Sequence, residues 1–78
     1  MSLGETIRIV RQKAFYTQEA FANRIKVALS TVNRWEMGKA RPNLRSLKEI
    51  KSFCEENDLS YLELEKEWFE FGDKEKGN

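Results

Sequence analysis

Histidine is absent from these 78 residues, cysteine and proline occur once each, and glycine four times. With no histidine and Cys54 alone, there is no means of building a disulfide, a Cys/His zinc site, a Ser-His triad or a Cys-His dyad. A catalytic site would have to be made of carboxylates in contrasting environments. No paired acids stand in an apolar context and the acidic residues gather in one solvated run, so the expectation is a non-enzyme without metal or cofactor. The apolar runs are far too short to cross a bilayer. Met1 to Arg11 lacks a basic stretch followed by an apolar one, so neither a membrane partner nor secretion is expected, and the expected location is the cytoplasm. Scarce Gly and Pro, with no sustained two-residue alternation, leave helices as the default.

The chain is 40% hydrophobic and 35% charged, which suits one small globular domain in which every helix must share a single core. Its net charge of +1 conceals an asymmetry. Residues 1–54 hold 11 Lys/Arg against 4 Asp/Glu, a balance of +7, while residues 55–78 hold 3 against 9, a balance of −6. A basic body with an acidic end is the charge footprint of a nucleic-acid binder whose other end faces elsewhere.

Five helices are read along the chain. Ser2-Leu3-Gly4-Glu5 has the Ser-x-x-Glu form of a capping box, and Leu3, Ile7, Val10 and Ala14 follow on one face, giving helix 1 over about residues 3–14. Phe15 and Tyr16 connect to Thr17, a suitable N-cap for a second helix that carries Phe21, Ala22 and Ile25 and ends near Ile25. After Lys26 to Leu29, Val32 and Trp35 share a face while Ser30, Thr31, Asn33 and Arg34 lie mostly off it, and Gly38 ends helix 3. Pro42 forbids continuation, and Asn43 can cap a fourth helix with Leu44, Leu47, Ile50 and Cys54 on or near one stripe. Ser60-Tyr61-Leu62-Glu63 repeats the capping-box form and opens a fifth over about 60–71, while the polar residues 72–78 are expected to fray.

Helices 2 and 3, joined by a turn of about four residues, describe a helix-turn-helix. The stretch TQEAFANRIKVALSTVNRWEMGKARP, residues 17–42, resembles the Cro and phage-repressor (Xre-type) helix-turn-helix family. Its more diagnostic residues are Gln18-Glu19, Ala22, Val32, Trp35-Glu36, Gly38-Lys39 and Pro42, and the likeness runs over roughly residues 4–59. It implies an all-α, five-helix, lambda-repressor-like DNA-binding domain over residues 1–71. Two positions depart from the family pattern: Lys26 stands where the turn favours glycine, and Ala28 where helix 3 is often capped by Ser or Thr, so that either the helix begins later, at Ser30, or packing offsets the lost cap.

The resemblance further implies that the start of helix 3 points into the major groove, with Leu29, Ser30 and Arg34 facing bases and Thr31 and Asn33 at the groove edge or near phosphate. The chemistry agrees. Arg34 can donate two bonds to guanine, Ser30 can bond several base edges, and Leu29 can touch a thymine methyl. Gln18 takes the family's phosphate-gripping place at the start of helix 2, Lys39 and Arg41 resemble its backbone contacts, and Arg11 and Glu36 its structural ion pair. Trp35 and Cys54 are expected in the core. Leu64, Trp68 and Phe71 recur at i, i+4 and i+7 along helix 5 and are expected to meet a second chain. The reading is a sequence-specific transcriptional regulator, a repressor, that binds a pseudo-palindromic double-stranded DNA operator as a homodimer and has no small-molecule pocket. The alternative is a protein-interaction module, such as an antitoxin gripping its partner through the acidic helix 5.

Overall fold

Ser2 starts the first helix. Its hydroxyl accepts from the Glu5 backbone N–H (3.2 Å) while its own N–H donates to the Glu5 carboxylate (3.1 Å), so two orphan donors of the helix end are satisfied reciprocally. That bond to the Ser2 backbone holds the Glu5 carboxyl below its ordinary range. The computed structural model describes residues 1–72, and among these the elements are α1 (Leu3–Lys13), α2 (Gln18–Ile25), α3 (Leu29–Glu36), α4 (Leu44–Glu56) and α5 (Leu62–Glu70). The fold is all-α. The tail expected from residue 72 onward lies, apart from Gly72, outside the described residues.

Thr17 and Asn43 cap α2 and α4, accepting from Ala20 N (3.0 Å) and Ser46 N (2.9 Å) respectively. Each helix then turns its apolar stripe to one core: Ile7 and Val10 from α1, Phe21 and Ile25 from α2, Val32 and Trp35 from α3, Ile50, Phe53 and Cys54 from α4, Leu64 from α5. Phe53 lies at its centre, edge-on to both Tyr16 (4.9 Å) and Phe21 (5.0 Å). Burial pushes the Cys54 thiol up to about 11, so it packs as a small hydrophobe and carries no thiolate at neutral pH.

Four expectations need correction. Phe53, not Leu44, completes the α4 stripe: the three- and four-residue steps of Ser46, Ile50 and Phe53 define the buried ridge, and Leu44 in the first turn lies off it, exposed. The second capping box does not form. Ser60 accepts from Leu62 N at 3.3 Å, and α5 begins only at Leu62, after an uncapped Tyr61. Residues 26–28 alone join α2 to α3, and α3 begins at Leu29 after the uncapped Ala28.

The fourth concerns α5. Leu64 is 0% exposed within its own chain, and Trp68 and Phe71 pack against the same core. The spacing that suggested a seam for a second chain instead covers α1 and meets the loop before α4 at Pro42, because a core this small needs its last helix as a lid. Helix α5 buries one carboxylate as well. Glu67 accepts from the Thr6 hydroxyl of α1, while its Oε2 has no hydrogen-bond partner among the described residues and lies 3.7 Å from the Met1 ammonium.

Candidate nucleic-acid interface

The third helix is short and polar outward, and its inner side is fixed by two residues. Val32 and Trp35 sit in the core, one turn apart, so Leu29, Ser30, Asn33, Arg34 and Met37 are left exposed on the opposite side. Ser30, Asn33 and Met37 step by three and four residues and form the crest, with Arg34 beside it. Asn33, expected at the edge, thus shares the crest with Ser30, whereas Thr31 turns half-buried toward α4.

Glu36 anchors the far end of α3. Its carboxylate takes a two-pronged grip from Arg11 of α1, Nε to Oε2 at 2.7 Å and Nη2 to Oε1 at 3.0 Å, while the third arm of the guanidinium reaches Tyr16 O at 2.9 Å. The side chains of Arg11 and Glu36 are only 11% and 4% exposed, which makes this a desolvated pair. Gln18 joins it, donating Nε2 to Glu36 Oε1 at 2.9 Å. The expected phosphate-gripping side chain is therefore committed to the ion pair. In the first turn of α2 the Thr17 hydroxyl takes the Ala20 N–H, and among the described residues the backbone N–H groups of Gln18 and Glu19 make no hydrogen bond.

Gly4 lets α1 approach this junction: a Cβ there would lie 2.6 Å from Trp35 O and 2.7 Å from Glu36 O. Beyond Glu36 the chain turns through Met37 and Gly38, whose φ of 78° suits glycine, and Lys39 N returns to Arg34 O at 3.0 Å. Lys39 is left exposed. Arg41 is exposed but has an internal partner: its Nη1 donates to Trp68 O on α5 at 2.7 Å and its guanidinium lies 4.2 Å from the Trp68 ring. The side chain expected to touch DNA backbone is instead a tether for α5.

A polar groove runs beside the crest, lined by Ala28, Thr31, Arg41, Asn43 and Arg45. Arg45 donates to Lys26 O at 3.3 Å, bringing the start of α4 against the α2–α3 turn, and Lys26, Arg34, Lys39 and Arg45 are all exposed. Sequence reasoning missed Asn43 and Arg45 as groove residues. Their signal was a basic residue in the first turn of a helix whose cap follows Pro42. Opposite charges are gathered elsewhere: Arg24 is held by Glu49 (2.9 Å) and Glu56, and Lys51 by Glu65 (3.0 Å), so acidic side chains neutralise cations away from this face.

Residues 7–62 match the family model described as Helix-turn-helix, which spans the whole of α2–turn–α3 and its support from α1 and α4. The chain belongs to the Xre/Cro-type helix-turn-helix family. It is 36% identical to the HTH-type transcriptional activator BcrR of Enterococcus faecalis over 53 residues, 68% of this chain and 26% of that protein. It is 28% identical to the HTH-type transcriptional regulator DicA of Escherichia coli (strain K12) over 76 residues, 97% of this chain and 50% of that protein. The chain thus spans half or less of the length of these relatives. No solved structure matches it.

As a helix-turn-helix protein it tolerates two local costs. Lys26 adopts the left-handed conformation (φ 69°) that the turn demands, at about 1–2 kcal/mol for a side-chain-bearing residue. Ala28 contributes no side-chain bond to the α3 N-terminus. Val27, packed against the core between them, holds the turn in place. Among the described residues no helix is long and apolar enough to cross a membrane, and no group of His, Cys, Asp or Glu could hold a metal ion.

Proposed function

We propose that this helix-turn-helix chain binds double-stranded DNA sequence-specifically as a homodimer, acting in the cytoplasm as a transcriptional repressor that occupies an operator. The observation that carries this reading is the exposed outer side of α3, with Ser30 and Asn33 on its crest and Arg34 beside it, and Trp35 and Val32 locking its other side. Laid in a major groove, Arg34 donates to guanine O6 and N7, Asn33 and Ser30 bond neighbouring base edges, and Leu29 meets a thymine methyl. Lys39, Arg45 and the first-turn N–H groups of α2 and α4 meet phosphates and set the register.

The outward ridge of α5 supports the dimer. Leu62 and Phe69 are 71% and 64% exposed with Lys66 between them and Glu65 alongside. A two-fold axis through the middle of an antiparallel pair of α5 helices brings each Leu62 to the other chain's Phe69, with each Lys66 beside the other chain's Glu65, whose carboxylate also holds its own Lys51. Such an isologous contact is self-complementary, and it would set two α3 crests on half-sites about 34 Å apart on a pseudo-palindrome.

Selection of bound duplexes from a random pool at two salt concentrations tests the reading. A two-fold-symmetric motif whose affinity falls steeply with salt is expected. Arg34→Ala should relax preference at one base position, with about 1–3 kcal/mol of discrimination lost. Enrichment of no motif overturns the reading. Sedimentation of the intact chain and of Phe69→Lys tests the dimer, which the substitution should split. A monomeric parent chain would favour instead the capture of a partner protein by the acidic, partly apolar face of α5.

A further inference from the structure

The geometry points to Trp68 as a positioning residue for DNA binding: through Arg41 and Pro42, α5 sets the loop that presents Lys39 and the start of α4 to the duplex. This inference rests on the DNA-binding reading.

Three contacts join α5 to that loop. The Trp68 indole Nε1–H donates to Pro42 O at 2.7 Å, Arg41 Nη1 donates to Trp68 O at 2.7 Å, and the Arg41 guanidinium stacks over the Trp68 ring, 4.2 Å from its centroid. Tryptophan gives the strongest cation–π attraction of the aromatic side chains, and the bond through its backbone carbonyl fixes the guanidinium over the ring. The two residues therefore clasp each other from opposite directions.

The loop needs such a clasp. Lys39 N is its last backbone donor into α3, and among the described residues the N–H groups of Ala40 and Arg41 make no backbone hydrogen bond. Pro42 supplies no donor, its ring is fully buried, and Asn43 directly after it caps α4. Fixing Pro42 O therefore fixes the entry of α4, and with it Arg45 and the first-turn N–H groups. Lys39, four residues before Asn43, is placed by the same constraint. The role of Arg41 is then to hold the loop to α5 rather than to neutralise a phosphate, and salt dependence separates these two roles.

The test uses the full chain and the duplex selected above, with affinity measured by fluorescence anisotropy across a salt series. Lys39→Gln, which removes a phosphate contact, should flatten the slope of log affinity against log salt by about 0.9. Arg41→Gln and Trp68→Phe should each weaken binding about five- to tenfold at every salt concentration with the slope unchanged, and the double variant should bind no more weakly than the weaker single one. A flattened slope for Arg41→Gln, additive losses, or parental affinity for Trp68→Phe overturns the inference.

A second readout needs no DNA. The Trp68 indole N–H resonance, assigned in the isotope-labelled parent chain, should exchange with solvent slowly there and faster in Arg41→Gln. Unchanged exchange overturns the clasp even if Trp68→Phe fails to fold. Slow exchange that Arg41→Gln accelerates, in a chain that binds no duplex, supports the clasp and places the failure in the DNA-binding reading.

Discussion

Replacing Arg11 by methionine isolates the junction on which the presentation of α3 depends. The substitution removes both bonds to Glu36 and the bond to Tyr16 O, leaving a carboxylate that is 4% exposed with Gln18 as its remaining donor. Stranding one member of a buried pair costs about 3–5 kcal/mol. At about 0.05–0.15 kcal/mol per residue, a chain of this length has about 4–12 kcal/mol in total, so Arg11→Met should remove roughly a quarter or more of its stability. Each 1 kcal/mol is worth about 4–8 °C in a domain this small, which places the fall in Tm at about 12 °C or more. Urea unfolding followed by circular dichroism measures the loss, and an unchanged m-value would show that the unfolding transition is the same one. Arg11→Met with Glu36→Met should recover most of the loss, since a buried pair replaced by apolar side chains is often neutral. A single-variant cost below about 1 kcal/mol, as for an exposed pair, would refute the reasoning. So would a double variant no more stable than Arg11→Met.

Gly4→Ala should lower Tm although alanine is the better helix former by about 1 kcal/mol, because its methyl meets two backbone carbonyls that cannot rotate away; a higher Tm would contradict the packing of α1 on α3. Lys26→Gly should raise stability by about 0.5–1 kcal/mol, the left-handed strain relieved less the added freedom of the unfolded chain, and a loss in thermal melting would count against strain at the turn. Burial pushes the Glu67 carboxyl above its ordinary range, with the neighbouring Glu63 adding to the rise while the Thr6 hydroxyl and the Met1 ammonium oppose it. A folded-state value above the unfolded one means that the neutral carboxyl's contribution is full below about 4.5 and is lost as pH rises through the higher folded-state value. Glu67→Gln should therefore melt above the parent chain at pH 7.5 and converge with it near pH 4, and a gap that widened on acidification would reverse the sign.

Much of the fold was legible because local chemistry and the global core agree in α1 to α4. Ser2, Thr17 and Asn43 cap the helices that their side chains announce, and Val32 with Trp35 marks the inner face of α3 by spacing alone. The limits of α5 were less legible. Ser60 and Glu63 satisfy the capping pattern in sequence, but Glu63 instead lies beside the buried Glu67, and the capping bonds are not made. Its apolar residues fall on two faces, and periodicity cannot tell which face a core will take. Leu64 went inward, while Leu62 and Phe69 remained out.

The site residues divide along the same line. Leu29, Ser30, Asn33, Arg34 and Lys39 are exposed on or beside α3, and their placement follows from helix geometry once Trp35 is fixed. Gln18 and Arg41 could not be placed that way, because their partners, Glu36 and Trp68, stand 18 and 27 residues away in the chain. A polar side chain near a DNA-facing surface has two possible partners, the duplex or another element of its own protein, and only the tertiary arrangement decides between them. Here both are used internally: Gln18 joins α2 to the end of α3, and Arg41 ties the loop after α3 to α5, a helix outside the motif. The gain is a short α3, uncapped at its start, that is held firmly at its C-terminal end by α1, α2 and, through the loop after it, α5.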